Sequence, residues 1–380
     1  GQAVTSGILV DVSRHWRSVE VLDDGAAVRV QPGVIAAAVN RTLAPHGAKI
    51  GPDPASINAA MMGGVLANNS SGMCCGTELN AYRTLESMVF VLPSGTVVDS
   101  STPDAEERFA AAEPGLARGL LELRDRVLGD STLRERIERK YRMKNTMGYS
   151  LNAFLDHSTP VALLSHLMIG SEGTLGFIAE AVLRTVPDYP LKHTGMLFFP
   201  DVPAACSAIV PLRESGARTL ELMDRASLAA VVGRPGVPER IPGLPPEAAA
   251  LLLEYQESTD ADLAGRLAGC HDLLPSLSLQ SEPIFTRDPT QQADLWAVRK
   301  GRSPSVGAQR PRGTAMIIED VGVPLEARAE GVGVLQGMCA DHRYDDASVC
   351  GHARDGNLQF VLNQRFAEPE AVEGFDAFMN

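Results

Sequence analysis

The sequence lacks the features that mark several classes of protein. No apolar run approaches the roughly 20 residues of a membrane-spanning helix, and the first ten residues, GQAVTSGILV, lack the basic and then apolar order of a secretory signal. No GxGxxG fingerprint stands between a strand and a helix, which argues against a nicotinamide-binding Rossmann domain. The sequence therefore predicts no transmembrane segment and no nicotinamide cofactor.

Cysteines and basic clusters are also sparse. Six scattered cysteines form no Cys-x-x-Cys pair, so nothing in their spacing supports an iron–sulfur cluster within this chain, and a reducing compartment is favoured. Asp and Glu number 47 against 34 Lys and Arg, which gives a net charge of -13. Without clustered cations there is no footprint for nucleic acid, and we expect no nucleic-acid partner.

The remaining composition is that of a globular α+β protein. At 380 residues the chain is long enough for two cores, and we expect one domain over residues 1–190 and a second over 191–380, with a boundary near the prolines of 186–193. Short strands are expected first, including residues 8–12 and 19–22, and then a helix from Val34 to about Pro45. Residues 104–140 predict helices with a core stripe formed by Leu116, Leu120, Leu121, Leu123, Val127 and Leu128.

Two glycine-rich segments indicate where a ligand could bind. GGVLANNSSGMCCG covers residues 63–76, and IGSEGTLG covers 169–176. Small residues let the backbone approach a ligand closely, and unpaired N–H groups in such loops suit an anionic cofactor. Tight turns are the alternative for either segment taken alone. The adjacent Cys74 and Cys75 are either packing residues, which we favour, or redox-active or flavin-linked thiols.

Two further segments carry candidate chemistry. GHARDGN places His352 at the end of an apolar run, where a histidine is either an acid–base group or an ordinary surface residue. LWAVRKG carries Arg299, whose planar guanidinium could hold a carboxylate through two hydrogen bonds. The alternative for Arg299 is an outward position on an amphipathic helix.

The motifs together resemble a known family. GPDPASINAAMMGGVLANNSSGMCCGTELNAYRTLESM, IGSEGTLGFIAEAVLRTVP and CGHARDGNLQFVL resemble the FAD-linked oxidases, whose flavin-binding fold is shared by vanillyl-alcohol oxidase and p-cresol methylhydroxylase. MKNTMGYSLNAFLD, LELMDRASL and VRKGRSPSVGAQRPRGTAMIIEDVGVP look most like bacterial D-2-hydroxyacid dehydrogenases of the D-lactate and D-2-hydroxyglutarate type. The resemblance implies an FAD-binding domain of the p-cresol methylhydroxylase (PCMH) type, followed by an α+β cap domain.

The resemblance also implies which residues contact non-covalent FAD. They lie at the start of the chain, in the first glycine-rich segment with the residues before it, and in the second segment: Gln2, Ala3, Pro52, Asp53, Ser56, Gly63, Gly64, Ala67, Asn68, Ser70, Ser71, Gly72, Gly173, Thr174, Gly176 and Ile178. Because relatives have longer ends, we expect the FAD-binding domain to be incomplete at its N-terminus and the cap domain at its C-terminus.

The implied reaction is oxidation of a D-2-hydroxy acid to the 2-oxo acid, with hydride passing to flavin N5. His352 would be the base that sits over the flavin, or else a metal ligand, with Asp355 and Asn357 shaping its turn. Arg299 would hold the substrate carboxylate. Further substrate contacts are expected from Arg310, Arg312, Lys144, Asn145, Tyr149 and Asn357. Two cationic sites, Arg299 and the Arg310–Arg312 pair, would favour a dicarboxylate such as 2-hydroxyglutarate over lactate.

The motifs also bear on a metal site, the electron acceptor and the location of the protein. Relatives read GHxxDGNLH, whereas Gln359 stands at the second histidine of this chain, and an amide is a poorer zinc ligand. His352 with Glu319 is the remaining metal candidate, and Glu319 and Asp320 could equally form a solvated turn. Electrons would leave to an iron–sulfur region, a quinone or a flavoprotein. We expect a protein that is cytoplasmic or peripheral to the inner membrane.

Two other functions share these motifs. An oxygen-using oxidase of an alcohol or sugar would keep the same glycine-rich segments, would not need Arg299, and would release peroxide. A non-catalytic fragment that no longer holds flavin is the second alternative.

Overall fold

The computed structural model describes residues 9–300, 310, 312–324, 327–344 and 347–380, and its contacts divide the chain into two units. The units are Gly1–Asp188 and Tyr189–Asn380, and the division falls inside the proline-containing segment 186–193. The functions expected of the two domains remain predictions. Among the described residues, no helix has the length and apolar character needed to cross a membrane.

The first unit is built on an antiparallel sheet. Its strands are β1 (Val19–Leu22), β2 (Ala27–Val30), β3 (Ala48–Ile50), β4 (Leu85–Val91), β5 (Val97–Asp99) and β6 (Phe177–Pro187). The order is β1-β2-β6-β4-β5, and β3 also pairs with β6. Because β6 begins directly after Gly176, the second glycine-rich segment leads into the strand that joins β2, β3 and β4.

Helices complete the first unit. They are α1 (Ala36–Leu43), α2 (Met62–Asn68), α3 (Ala81–Thr84), α4 (Ala105–Ala112), α5 (Pro114–Gly129), α6 (Ser131–Tyr141), α7 (Ala153–Asp156) and α8 (Pro160–Met168). The core between helices and sheet includes Leu43, Met62, Phe90 and Leu183. The first glycine-rich segment thus begins on α2 and continues as a loop.

Two expectations for this unit are wrong. Residues 9–12 form no strand; Val12 instead accepts a turn hydrogen bond from Trp16, and Val10 and Val12 face a cavity. The stripe on α5 is narrower than predicted, because Leu116, Leu121 and Leu123 are 39%, 38% and 44% exposed. The buried residues of α5 recur at helical spacing and are Ala117, Leu120 and Val127.

The second unit contains a seven-stranded antiparallel sheet in the order β10-β7-β9-β8-β12-β13-β11. Its strands are β7 (Leu191–Phe199), β8 (Thr219–Met223), β9 (Ala249–Glu257), β10 (Ile284–Thr286), β11 (Ala315–Gly322), β12 (Ser348–His352) and β13 (Asn357–Gln364). The α-helices among its described residues are α9 (Val202–Glu214), α10 (Arg225–Ala229), α11 (Asp260–Leu273), α12 (Pro289–Lys300), α13 (Arg328–Asp341) and α14 (Pro369–Met379).

The two faces of this sheet differ. Because side chains alternate along a strand, one set of residues, including Leu222 and Phe360, packs with α9, α11, α13 and α14 in a single apolar core. The opposite face packs Met223 and Leu252 against α10 and α12. We call this opposite face, which also carries most of the buried polar side chains of the sheet, the mixed face.

A buried carboxylate joins strands and helix on the mixed face. Glu254 on β9 accepts hydrogen bonds from the hydroxyl of Thr194 (2.7 Å), the indole N–H of Trp296 (2.7 Å) and the amide of Gln256 (2.6 Å). These three donors are neutral, so this carboxylate is satisfied by hydrogen bonds.

Candidate functional site

A cavity of about 750 Å³ lies in the first unit, and both glycine-rich segments line it. Of the residues expected to contact FAD, those on its wall are Ser56, Gly63, Gly64, Ala67, Asn68, Ser70, Gly173, Gly176 and Ile178. Sequence reasoning missed other lining residues, among them Val10, Pro32, Met61, Ser171 and Phe177. The structure therefore brings together two segments that are about 100 residues apart in the sequence.

Backbone hydrogen bonds join the two segments directly. The N–H of Gly170 donates to the carbonyl of Leu66 (3.1 Å), and the N–H of Glu172 donates to the carbonyl of Ala67 (2.8 Å). Asn68 adds a side-chain bond, because its amide donates to Glu172 Oε1 at 2.6 Å. The two segments therefore form one wall of the cavity.

The wall has the features expected of a cofactor cradle. A Cβ added at Gly64 or Gly173 would meet no atom within 4 Å, so a side chain at either position would enter the cavity. The hydroxyl of Ser171 is buried and has no hydrogen-bond partner among the described residues. A buried polar atom without a partner is unfavourable unless a ligand or water satisfies it. These residues fit a large polar cofactor such as FAD.

Asp53, Gly72 and Lys144 support the loop and are not among the residues lining the cavity. The Asp53 carboxylate accepts from the backbone N–H groups of Cys74 (3.0 Å) and Cys75 (3.2 Å). A Cβ at Gly72 would lie 2.0 Å from the Asp53 carbonyl oxygen, so only glycine allows this approach. The buried ammonium of Lys144 donates to the Gly72 carbonyl at 3.2 Å.

The remaining expected residues of this unit lie near the second segment or outside the cavity wall. The hydroxyls of Tyr149 and Thr174 are 2.8 Å apart, and Thr174 also donates to the Ser171 carbonyl. Asn145 accepts from the N–H of Met147. Pro52 and Ser71 are buried but do not line the cavity, and Gln2 and Ala3 lie outside the described residues.

A cluster of ionisable residues lies on the mixed face of the second unit. Glu221 on β8 is 0% exposed, and its two carboxylate oxygens contact different partners. Oε2 accepts from Arg299 Nε at 2.6 Å, and Oε1 lies 2.7 Å from His352 Nδ1. Arg299 and His352 are each 7% exposed, so the surface alternatives for both are wrong. Glu221, Arg299 and His352 form what we call the acid–base cluster.

Strand register explains this cluster. In the antiparallel pairing of β12 with β8, His352 lies opposite Glu221, and opposed residues project from the same face. His352 also lies opposite Asn357 on β13, and Arg299 comes from the last turn of α12. The amide oxygen of Asn357 is buried without a hydrogen-bond partner in the described part of the chain.

The charges in the cluster stabilise each other. Burial alone would raise the pKa of Glu221, but the neighbouring His352 and Arg299 outweigh it and lower that pKa, so the carboxylate is ionised at neutral pH. Burial opposes the charge of Arg299 as well, yet the pKa of Arg299 is raised, chiefly through Cys350 and Glu221. The guanidinium therefore stays cationic inside the protein.

The structure does not bring the proposed metal ligands together. Glu319 lies opposite Phe360, on the apolar face of the sheet, whereas His352 is on the mixed face. Gln359 is on the mixed face, but its Oε1 accepts from Arg299 (3.4 Å) and Cys350 (3.8 Å). The residues described by the structure contain no group of three His, Cys, Asp or Glu side chains suited to a metal.

The other expected substrate residues are exposed or undescribed. Arg310 and Arg312 are exposed, and Pro311 between them lies outside the described residues. The side chain of Asp355 is also outside them. Sequence reasoning missed Glu221, although a single charged residue within the buried strand TLELM was a signal for it.

Comparison with known proteins gives the class. The family described as "FAD linked oxidases, C-terminal domain" matches residues 190–380, and the family described as "FAD binding domain" matches residues 1–101. The chain belongs to the FAD-linked oxidases. This finding confirms the resemblance read from the glycine-rich and GHARDGN motifs and supports FAD as the cofactor.

Individual relatives are distant. Glycolate oxidase subunit GlcD of Bacillus subtilis is 23% identical over 368 residues, covering 94% of this chain and 64% of that protein. D-2-hydroxyglutarate dehydrogenase of Pseudomonas putida is 30% identical over 191 residues, covering 49% of this chain and 19% of that protein. The chain thus spans less than two thirds of the length of these relatives.

A solved structure shares the fold. p-Cresol methylhydroxylase with bound substrate superposes with a TM-score of 0.60 at 11% identity, covering 96% of this chain and 67% of that one. The α+β fold with a PCMH-type flavin-binding region and a C-terminal domain is confirmed.

Proposed function

We propose that the protein oxidises a small D-2-hydroxy acid to the 2-oxo acid, using FAD. The observation that carries this proposal is that one buried carboxylate, Glu221, holds both a buried guanidinium and a buried imidazole. A hydroxy acid needs both groups, because its carboxylate needs an oriented cation and its hydroxyl proton needs a base. Family membership supplies the redox cofactor.

Each residue has one task in this proposal. Arg299 binds the substrate carboxylate, and His352 takes the proton of the C2 hydroxyl. Asn357 offers its unpartnered amide oxygen to the same hydroxyl. Bound FAD would accept the hydride from C2, so that two electrons and one proton leave with hydride and the second proton leaves through His352. Gly64, Gly173 and Ser171 would hold FAD in the cavity of the first unit.

The substrate class is narrower than the family. Glycolate, D-lactate and D-2-hydroxyglutarate are the candidates, glycolate because of the name of the GlcD relative. Arg310 and Arg312 are exposed cations that would pair with a second carboxylate, which favours D-2-hydroxyglutarate. An iron–sulfur region, a quinone or a flavoprotein would then accept the electrons.

Anaerobic reduction of the bound flavin tests this function. The purified protein should absorb in the blue, and a D-2-hydroxy acid from a panel with glycolate and D- and L-lactate should bleach it. (R)-1,2-propanediol, which matches D-lactate without its carboxylate, should not. His352→Gln should keep the flavin spectrum and lose about 100-fold or more in bleaching rate.

The same samples separate the competing functions. Bleaching by the diol as fast as by D-lactate would contradict the role of Arg299 and favour an oxidase of alcohols. Peroxide released on admitting air would favour oxygen as the acceptor. Protein without a flavin spectrum, even after incubation with FAD, would favour the non-catalytic alternative.

A further inference from the structure

We propose that Glu221 is a positioning residue that determines which nitrogen of His352 carries the proton, leaving Nε2 as the proton acceptor. The catalytic consequence of this inference rests on the proposed function, whereas its structural test does not. Glu221 lies on a strand 131 residues before His352, and no sequence motif joins them.

The direction of one hydrogen bond carries the first step. An ionised carboxylate can only accept, and Glu221 is ionised because of its lowered pKa. The nitrogen 2.7 Å from it, His352 Nδ1, must therefore donate. A neutral imidazole with its proton on Nδ1 has its lone pair on Nε2. No other hydrogen bond to this ring is formed within the described residues.

The second step is that only a carboxylate fits between these two partners. Arg299 has donors and no acceptor, and it already uses Oε2 of Glu221 at 2.6 Å. Glu221 therefore needs one accepting oxygen for the guanidinium and another for the imidazole. A glutamine has a single oxygen. In Glu221→Gln that oxygen must face Arg299, the NH2 group must face His352, and the ring must then accept at Nδ1 and carry its proton on Nε2.

Other groups that act on Arg299 do not replace Glu221. Cys350 is on the same face, two residues before His352, and Asp320 on β11 acts electrostatically on Arg299. Cys350 hydrogen-bonds to Gln359, and neither group bonds to the ring in the part of the chain that the structure describes. Among the described residues, Glu221 on β8 is thus the group that sets the tautomer.

Nuclear magnetic resonance tests the assignment directly. Protein labelled with ¹⁵N in histidine, measured at pH 8, should show the Nδ1–H tautomer for His352, assigned by its loss in His352→Gln. Glu221→Gln should show Nε2–H, while Glu221→Asp, which keeps two accepting oxygens, should retain Nδ1–H. An Nε2–H tautomer in the unaltered protein, or an unchanged tautomer in Glu221→Gln, would overturn the proposal.

Kinetics separate positioning from a general structural role. In Glu221→Gln we expect the rate of anaerobic flavin reduction to fall by about 10²-fold or more, because the base is lost. The dissociation constant of oxalate, read from the flavin spectrum, should change by less than about threefold, because Arg299 keeps its partner oxygen. Equal losses in reduction and oxalate binding would count against the proposal.

Glu254→Gln is the matched control. Glu254 is also buried on the mixed face, but its partners are neutral, so an amide can accept from Trp296 and rearrange with Gln256. In Glu254→Gln the rate of anaerobic flavin reduction and the tautomer of His352 should both stay unchanged. If the tautomers behave as expected but no hydroxy acid reduces the flavin, the proposed function fails and the positioning role stands. If hydroxy acids reduce Glu221→Gln as fast as the unaltered protein, the positioning role fails alone.

Discussion

Glu221 is fully buried and contacts two nitrogen-containing side chains, those of Arg299 and His352. Removing a carboxylate and a guanidinium from water costs several kcal/mol each, and a buried ion pair often only offsets that cost. Replacement of a buried ion pair by apolar residues of similar volume is often neutral or stabilising. The retention of Glu221 and Arg299 inside the second unit therefore points to use in binding and chemistry, in agreement with the proposed function.

Arg299→Lys should weaken binding of carboxylate ligands. A lysine has a single ammonium group for Glu221 and a ligand, whereas the guanidinium donates to Glu221 through Nε and has two further nitrogens that can donate. We expect the oxalate dissociation constant to rise by about tenfold or more. Titration of the flavin spectrum with oxalate measures it.

The control for this prediction is Arg287→Lys. Arg287 forms an exposed ion pair with Asp260, so its exchange should leave oxalate binding unchanged. An unchanged oxalate constant in Arg299→Lys would mean that Arg299 does not bind the carboxylate.

The sequence identified some of the residues of the acid–base cluster and missed one. His352 and Arg299 stand in recognisable motifs, so the sequence could propose them as site residues, although it could not predict their burial. Glu221 contacts His352 because it lies opposite it, and that register depends on pairing between distant strands. No local pattern contains this information.

Among the structural elements, α2 and the second glycine-rich segment line the cavity that we propose as the FAD site. Gly64→Val should lower the flavin content of the purified protein, because its side chain would enter the cavity beside α2. We expect FAD affinity to fall by about tenfold or more, since overpacking typically costs 1–3 kcal/mol. Fluorescence titration of the flavin-free protein with FAD measures the effect.

Gly119→Val gives the matched comparison. Gly119 also lies within a helix, α5, and a Cβ there also meets nothing within 4 Å, but it does not line the cavity. Both variants carry the same helix-propensity change, so equal flavin affinity in the two would show that the cavity is not the FAD site.

Most elements could be predicted from local patterns. The strand at 19–22 and the helices within 104–140 follow hydrophobic periodicity and appear in the structure. Residues 9–12 have strand composition but pair with no strand among the described residues, and Val10 and Val12 line the cavity instead. The leucines of α5 were too numerous for one face, since periodicity gives the buried side but not its width.

At the scale of the whole molecule, stability should depend on pH through a histidine pair in the first unit. The rings of His157 and His166 stack at 3.7 Å, next to Tyr82, Asp156 and Arg83. Burial lowers the pKa of His157, and burial followed by repulsion from His157 lowers the pKa of His166 to about 4. Both rings are therefore neutral in the folded protein at neutral pH.

His166→Phe should reduce the loss of stability in acid. In the unfolded chain a histidine binds a proton below its pKa of about 6.5, whereas in the folded protein the pKa of His166 is lowered to about 4. Stability therefore falls as the pH decreases from about 6.5 towards 4. Between pH 7.5 and 5.5 we expect His166 to account for about 1 kcal/mol of the free energy of unfolding. Urea unfolding at both pH values measures it.

The exposed His15 provides the comparison. His15→Gln should keep the pH dependence of the unaltered protein, whereas His166→Phe should flatten it. The same pH dependence in all three proteins would show that the stacked pair does not contribute.

The joint between the two glycine-rich segments has an evolutionary consequence. Its bonds from Gly170 to Leu66 and from Glu172 to Ala67 run between peptide groups, and every residue except proline can donate such a bond. Apart from Gly170, whose positive φ favours glycine, side chains along the joint can therefore drift while the two segments remain together, as long as the path of the main chain is kept. A cradle joined in this way can outlast extensive divergence of its surroundings.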